Sequence, residues 1–322
     1  MNTTELTNYN YTLSNDALIL KSKLEKYDHI IFHSGVFHAD EILATAYLML
    51  VHDWLGIPFP KWERKNVISD EMTEENGYLV YDVGGGRFDH HFKEEDKQRR
   101  PNGIAYAAFG LIVREFHIGF LNDFEYQRFD RWVAPIDDSD NTGKYNPIND
   151  LFKCMNPVWD CPDPNINIRA ANAISVGKDM IENKINRIRA DYRAKAVLEN
   201  AQDIERGVVY LDFYSPIGEY IFDINGLDFF GAPSNRDIGK YNVIAAKDKD
   251  PNGVNKKLFP NKYRGLSNRS PNFEELHSES GMTFCHPGGF MATFDDKETA
   301  KRFFDKHYKE FEVPKKKEEV KE

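Results

Sequence analysis

Three short stretches of this chain carry histidine and aspartate where packing alone would not call for them. His33-Ser34-Gly35-Val36-Phe37-His38-Ala39-Asp40-Glu41 follows the apolar run Ile30-Ile31-Phe32. Asp82-Val83-Gly84-Gly85-Gly86 closes a second hydrophobic run and leads into Asp89-His90-His91. Ile136-Asp137-Asp138-Ser139-Asp140-Asn141 supplies a third. One such cluster would be weak evidence; three, each at the end of an apolar segment, suggest a two-metal hydrolase. Carboxylate oxygens suit hard divalent cations such as Mn²⁺ or Mg²⁺, and imidazole shifts the preference towards Mn²⁺, Fe²⁺, Co²⁺ or Zn²⁺. Two cations about 3.5–4 Å apart need roughly seven ligands and a bridging group to clamp both sides of a phosphoryl displacement. His33, His38, Asp40, Asp82, His90, Asp137 and Asp140 make up that inventory. His91 is left over, free to orient or protonate a leaving oxygen.

Each position also has an ordinary reading. Asp40 would serve as the N-cap of the next helix, but an imidazole at His38, two residues earlier, has no capping purpose. The glycines after Asp82 make a turn. An aspartate on the last pleat of a hydrophobic strand nevertheless needs a cation or several donors, because burying it unpaired is costly; a bridging metal ligand is favoured. Asp89 is expected to orient one of the adjacent histidines, as metal-bound imidazoles usually require. Asp137 and Asp140 have i, i+3 spacing and can face one side, whereas Asp138 reads equally well as part of an acidic helix end. A fourth cluster is His286-Pro287-Gly288-Gly289-Phe290. Its glycine amides could cradle an anion, and Arg264 could fork onto a phosphate. A plain glycine turn and a surface arginine fit the local sequence as well.

The elements needed to position these residues read as α/β. Ile30–Phe32 is a short buried strand, Glu41–Leu50 a helix, and Val67–Ile68 and Tyr78–Val83 are further strands. Gly103–Phe116 and Asp123–Ile136 look helical. Strands alternating with helices imply a largely parallel sheet, and ligands at the C-terminal ends of its strands lie where such sheets place their sites. Asn156–Asn167 is a loop rich in proline and aspartate. Ile168, Ala171, Ile174, Ile181, Ile185, Ile188 and Tyr192 then mark a long helix that could run to about Glu205. Val208–Leu211 and Tyr241–Ala245 open a second α/β unit, and Asp296–Tyr308 is its last helix. The expected division is a polar N-terminal extension (1–27), a catalytic domain (28–165), a connector helix (166–205), a smaller C-terminal substrate-binding domain (206–310) and a charged tail (311–322).

With 322 residues, of which 41% are hydrophobic, the chain can bury a substantial core. No stretch approaches the roughly 18 uninterrupted apolar residues of a transmembrane helix, so no membrane partner is expected. Met1-Asn2-Thr3-Thr4-Glu5 lacks the pattern of a signal peptide, and the polar extension lacks that of a mitochondrial presequence. Three cysteines (Cys154, Cys161, Cys285) without zinc-type pairing fit a reduced, cytoplasmic setting. The net charge of −10 argues mildly against a protein that coats long nucleic acid. It leaves room for basic groups lining a single cleft.

Taken together, the motifs resemble those of the melanocyte proliferating gene family, a branch of the DHH phosphoesterases. The resemblance rests on His33-x-Gly35-x-Phe37-His38-x-Asp40-Glu41, Asp82-Val83-Gly84-Gly85, Asp89-His90-His91 and Asp137-x-x-Asp140-Asn141. It continues through Asn102-Gly103-Ile104-Ala105-Tyr106, Leu258-Phe259-Pro260-x-x-Tyr263-Arg264-Gly265-Leu266 and His286-x-Gly288-Gly289-Phe290, spanning about Asp28 to Tyr308 in order. It implies a DHH-like parallel-sheet catalytic domain joined by a long helix to a smaller α/β domain. It also implies two divalent cations, foremost Mn²⁺ with Mg²⁺ or Co²⁺ as alternatives. His33 and His38 would hold one cation with a bridging Asp82. Asp40 and His90 would hold the other, completed by the Asp137/Asp140 pair, and His91 would face the phosphate. Arg264, His286, Gly288 and Gly289 are candidates for substrate binding.

The sequence departs from the family pattern in the acidic segment, which has an extra residue before Gly143, so the choice among Asp137, Asp138 and Asp140 stays open. Tyr263 stands where a tryptophan is expected, and Met291-Ala292-Thr293 replaces a further glycine-rich stretch. The leading expectation is a Mn²⁺-dependent phosphodiesterase, a 3′-to-5′ exonuclease on short single-stranded RNA or DNA. The alternatives are hydrolysis of a small phosphoanhydride or cyclic dinucleotide, and a metal-stabilised binding protein without catalysis. Whether the chain forms a homo-oligomer is left open.

Overall fold

Three parallel strands organise the first part of the chain. β1 (His29–His33) lies between β2 (Lys61–Lys65) and β3 (Tyr78–Tyr81), in register Ile30 with Trp62 and with Leu79. This is a computed structural model, and it describes residues 13–162, 165–199, 204, 206–215, 226–248 and 254–314. The expected residues of the far N-terminal extension (1–12), the end of the long helix (200–203 and 205) and most of the charged tail (315–322) lie outside the described residues. Two compact units divide at Ile188/Arg189.

In the first unit, α1 (Asn15–Leu24) buries Ala17, Leu20 and Leu24 and is capped by Ser14, whose Oγ accepts from the Ala17 amide at 3.2 Å. α2 (Ala39–Leu55) is buried along nearly its whole length and ends on Gly56 in the left-handed region. α3 (Ala108–Phe116) and α4 (Asp123–Thr142) pack with it around Tyr47, Phe109 and Phe129. α5 (Pro147–Cys154) adds Phe152 to the same core. The long helix α6 (Ile166–Glu199) contributes Ala170, Ala173, Ile174, Ile181, Ile185 and Ile188, so its first two-thirds is part of this unit's core.

Several elements differ from the sequence expectation. Val67 and Ile68 are not a strand; Val67 is exposed, and the strand is the charged Lys61–Lys65 segment instead. That segment is half-buried on the sheet edge, where tertiary pairing outweighs composition. α3 begins at Ala108, five residues later than Gly103. α4 continues through Pro135 to Thr142 and so carries both Asp137 and Asp140 on one helix.

The second unit is built on a mixed five-stranded sheet. Its strands are β4 (Val208–Tyr210), β5 (Phe229–Pro233), β6 (Tyr241–Ala245), β7 (Met282–Cys285) and β8 (Met291–Phe294), in the order β4-β5-β6-β8-β7. Only β4 and β5 run parallel. α7 (Phe273–Ser280) precedes β7, and α8 (Lys297–His307) covers a core of Phe229, Phe259, Phe294, Phe303 and Phe304. Among the described residues, no helix is long and apolar enough to cross a membrane.

Candidate metal centre

The C-terminal ends of β1 and β3 carry the first ligand candidates. His33 is the last residue of β1. Five residues later His38 is the N-cap of α2, and its amide donates to Glu41 Oε1 at 2.9 Å. This turn buries Asp40 and Glu41 in the first helical turn, 1% and 0% exposed. Asp40 does more than line the site. Its Oδ2 and Oδ1 accept the amides of Ala108 and Phe109, each at 2.8 Å. A carboxylate from α2 thus caps α3, where it meets the positive end of the helix dipole. This is why α3 starts where it does.

After β3 the chain turns sharply. Asp82 has a φ of +58°, a left-handed conformation uncommon outside glycine, asparagine and aspartate. Its amide donates to Phe88 O at 3.1 Å, closing the loop on itself. Gly84, at φ +85°, passes so near Ile68 that a Cβ there would stand 2.7 Å from Ile68 Cγ1. Asp89 then gathers the end of the loop. Its Oδ2 accepts from the Gly85 amide at 2.7 Å, and its Oδ1 accepts from the amides of His90 (2.7 Å) and His91 (3.1 Å). Oδ1 also lies 2.7 Å from His91 Nδ1. Burial acts to raise the Asp89 pKa, but the bonds from His91 and the Gly85 amide prevail and hold it well below the usual range.

His90 is the meeting point. Its Nε2 lies 3.1 Å from Asp82 Oδ1, 3.2 Å from Asp140 Oδ2 and 3.7 Å from Asp40 Oδ2. Three carboxylates from α2, the β3 turn and α4 therefore converge on one imidazole nitrogen. Burial raises the pKa of both Asp40 and Asp140; repulsion from Asp140 adds to the first and repulsion from Asp82 to the second. Against its own burial, His90 is pushed up to about 10 by Asp82, Asp40 and Asp140. So many acids around one ring call for a cation.

A second group lies at the β1–α2 turn. Ring nitrogens of His33 and His38 and a carboxylate oxygen of Glu41 all lie within 4.8 Å of one another. Burial lowers the His33 pKa, which keeps its ring neutral and able to ligate. Among the described residues, Glu41 Oε2 and His33 Nδ1 are both buried without a hydrogen-bond partner. Orphaned donors and acceptors of this kind ask for an ion or a water. Oxygen and imidazole donors together suit Mn²⁺, Co²⁺ or a similar divalent cation. Glu41 was quoted in its motif but given no role by sequence reasoning. The available signal was its place three residues after the His38 cap.

Asp137 does not join these groups. It is fully buried, its Oδ2 accepting from Arg100 Nη2 at 2.8 Å and its Oδ1 from the Gly110 amide at 3.2 Å. A Cβ on Gly110 would stand 2.0 Å from Asp137 Oδ2, so the pair depends on that glycine. Asp138 turns outward to Lys144 at 2.8 Å. The i, i+3 spacing brings only Asp140 to His90.

Arg264, His286, Gly288 and Gly289 belong to the second unit, and their own surroundings engage them. Arg264 Nε donates to Phe259 O at 2.8 Å, and its Nη2 pairs with Glu312 at 2.7 Å. A Cβ on Gly289 would stand 2.5 Å from that Nε. The amides expected to cradle an anion already have acceptors: Gly288 donates to His286 Nδ1 at 3.0 Å and Gly289 to His286 O at 2.8 Å.

Comparison with known proteins agrees with the motif reading. The model of the family MYG1_exonuc, described as Uncharacterised protein family (UPF0160), matches residues 29–308. A MYG1 protein of Dictyostelium discoideum is 23% identical over 312 residues, covering 81% of this chain and 91% of its own. A MYG1 protein of Chlamydia muridarum is 24% identical, with coverage of 83% and 92%. The human MYG1 exonuclease is 23% identical, with coverage of 87% and 85%. A crystal structure of exonuclease RecJ bound to manganese overlaps 90% of this chain and 91% of its own at 14% identity. Its TM-score of 0.24 is too low to speak for the fold.

Proposed function

The chain belongs to the MYG1 exonuclease family, and from that membership we propose that it is a metal-dependent phosphodiester hydrolase that trims short single-stranded RNA or DNA, in the 3′-to-5′ direction and with Mn²⁺. The observation that carries the reading is the convergence of Asp40, Asp82 and Asp140 on His90 Nε2. In this reading Asp40, Asp82, His90 and Asp140 hold one divalent cation. His33 and His38 hold a second, with Glu41 at its side. Bound cations supply Lewis acidity that polarises a phosphoryl oxygen and acidifies a water.

The protein's own groups supply the rest. His91 is exposed on the cleft beside His90. Its Nδ1 is tied to Asp89, which leaves Nε2 for the leaving ester oxygen. The Asp89 hydrogen bond raises the His91 pKa, which favours the protonated ring that a general acid needs. The test is product release from 3′- and 5′-labelled single-stranded RNA with Mn²⁺. His90→Ala and Asp82→Ala should each abolish it; cleavage at the wild-type rate by either variant would refute the reading.

A further inference from the structure

A cleft of about 750 Å³ has His38, His90, His91 and Asp140 in its lining. Its lining also includes Asp150 and six residues outside the proposed centre that could meet a strand. Three of them are lysines. Lys144 Nζ is 2.8 Å from Asp138 and Lys97 Nζ is 3.4 Å from Glu94, while Lys153 is exposed with no ion pair among the described residues. Two are aromatic and open to solvent, Tyr145 at 80% exposure and Phe92 at 38%. The sixth is Asn149. Its Nδ2 reaches Ile136 O at 3.5 Å, but its Oδ1 is buried without a partner among the described residues.

Each residue alone points to no ligand. Together they supply cations for phosphates, flat rings for bases, and an acceptor for an amino group or a 2′-hydroxyl. That combination is how single-stranded nucleic acid is held. In a chain of net charge −10, three lysines in one cleft beside an acidic centre also favour an anion there.

We propose that this cleft is a nucleotide subsite, holding one nucleotide of the strand next to the scissile phosphodiester. The base lies against Tyr145 and Phe92, and the backbone phosphate sits beside Lys144 and Lys153. The inference rests on the hydrolase reading above. A simple anion site would use the lysines and leave the rings idle.

Fluorescence anisotropy with a fluorescein-labelled five-nucleotide RNA, in Ca²⁺ to suppress cleavage, separates these cases. Tyr145→Ala should weaken binding about tenfold, the usual scale for one lost stacking partner. Lys153→Glu should weaken it comparably, and Tyr145→Phe should retain it. Wild-type affinity in Tyr145→Ala, or loss in Lys153→Glu alone, overturns the proposal, as does absence of binding by the wild type. RNA bound at this cleft but left uncut with Mn²⁺ would count against hydrolysis and in favour of the subsite. Cleavage combined with an ineffective Tyr145→Ala would do the reverse.

Discussion

Asp89 Oδ1 lies 2.7 Å from His91 Nδ1 and also accepts the amides of His90 and His91. One carboxylate oxygen therefore sets the backbone of both histidines and the ring orientation and charge of the second. Asp89→Asn keeps an acceptor there but removes the charge. We expect kcat on an RNA oligonucleotide to fall about 10- to 100-fold, with KM within about twofold of wild type. Steady-state kinetics at fixed Mn²⁺ checks this, and a change confined to KM would show that Asp89 acts on binding instead.

Asp137 and Asp140 should separate cleanly. Asp140→Asn removes a carboxylate facing His90 and should weaken Mn²⁺ binding by about tenfold or more, while the metal-free protein melts close to wild type. Asp137→Asn disturbs the buried pair with Arg100, so it should lower stability by about 3 kcal/mol and leave metal affinity near wild type. Calorimetric Mn²⁺ titration and urea unfolding, run on both variants, give the two readouts.

Glu41→Gln should have opposite effects on the metal-free and metal-bound protein. Gln can still accept from the His38 amide, but it replaces a wholly buried carboxylate whose pKa is raised by burial and by Asp82. Without metal the variant should melt higher, because an unpaired buried charge has gone. The rise in melting temperature produced by Mn²⁺ should shrink. A variant whose Mn²⁺-induced rise matched wild type would remove Glu41 from the centre.

His52 predicts a pH dependence of stability. It is 1% exposed, with Nδ1 2.7 Å from Leu48 O, and burial lowers its pKa although the Leu48 bond pulls the other way. The unfolded chain takes up a proton at His52 near pH 6.5, and the folded chain only at a lower pH. Stability is thus fully present above about 6.5 and is lost as pH falls from there through the folded pKa. Urea midpoints between pH 7.5 and 5.5 should fall more steeply in wild type than in His52→Gln. Parallel slopes would show that His52 does not titrate differently in the two states.

Much of this was legible where the information is local. Ile30-Ile31-Phe32 and the apolar run after Glu41 mark β1 and α2 by themselves, and the histidines at their junction mark the candidate site. β2 was not legible, because Lys-Trp-Glu-Arg-Lys becomes a strand only through pairing with β1. Nor was the capping of α3 by Asp40, which joins residues 68 positions apart. Asp137 and Asp140 look equivalent on a helical projection. Three residues of rise and rotation send one under Gly110 and the other to His90, and only the packed neighbours distinguish them. Glu41 was hidden for the same reason: an acid in the first turn of a helix is ordinary until its burial is known.

The left-handed backbone at Asp82 sets two pressures against each other at one position. Glycine there would relieve about 1 kcal/mol of conformational cost but would remove a carboxylate from His90. A library of this chain selected only for heat resistance should therefore enrich Asp82→Gly and return inactive clones, whereas one selected for turnover should keep aspartate. The residue makes the protein's robustness and its chemistry separately selectable traits.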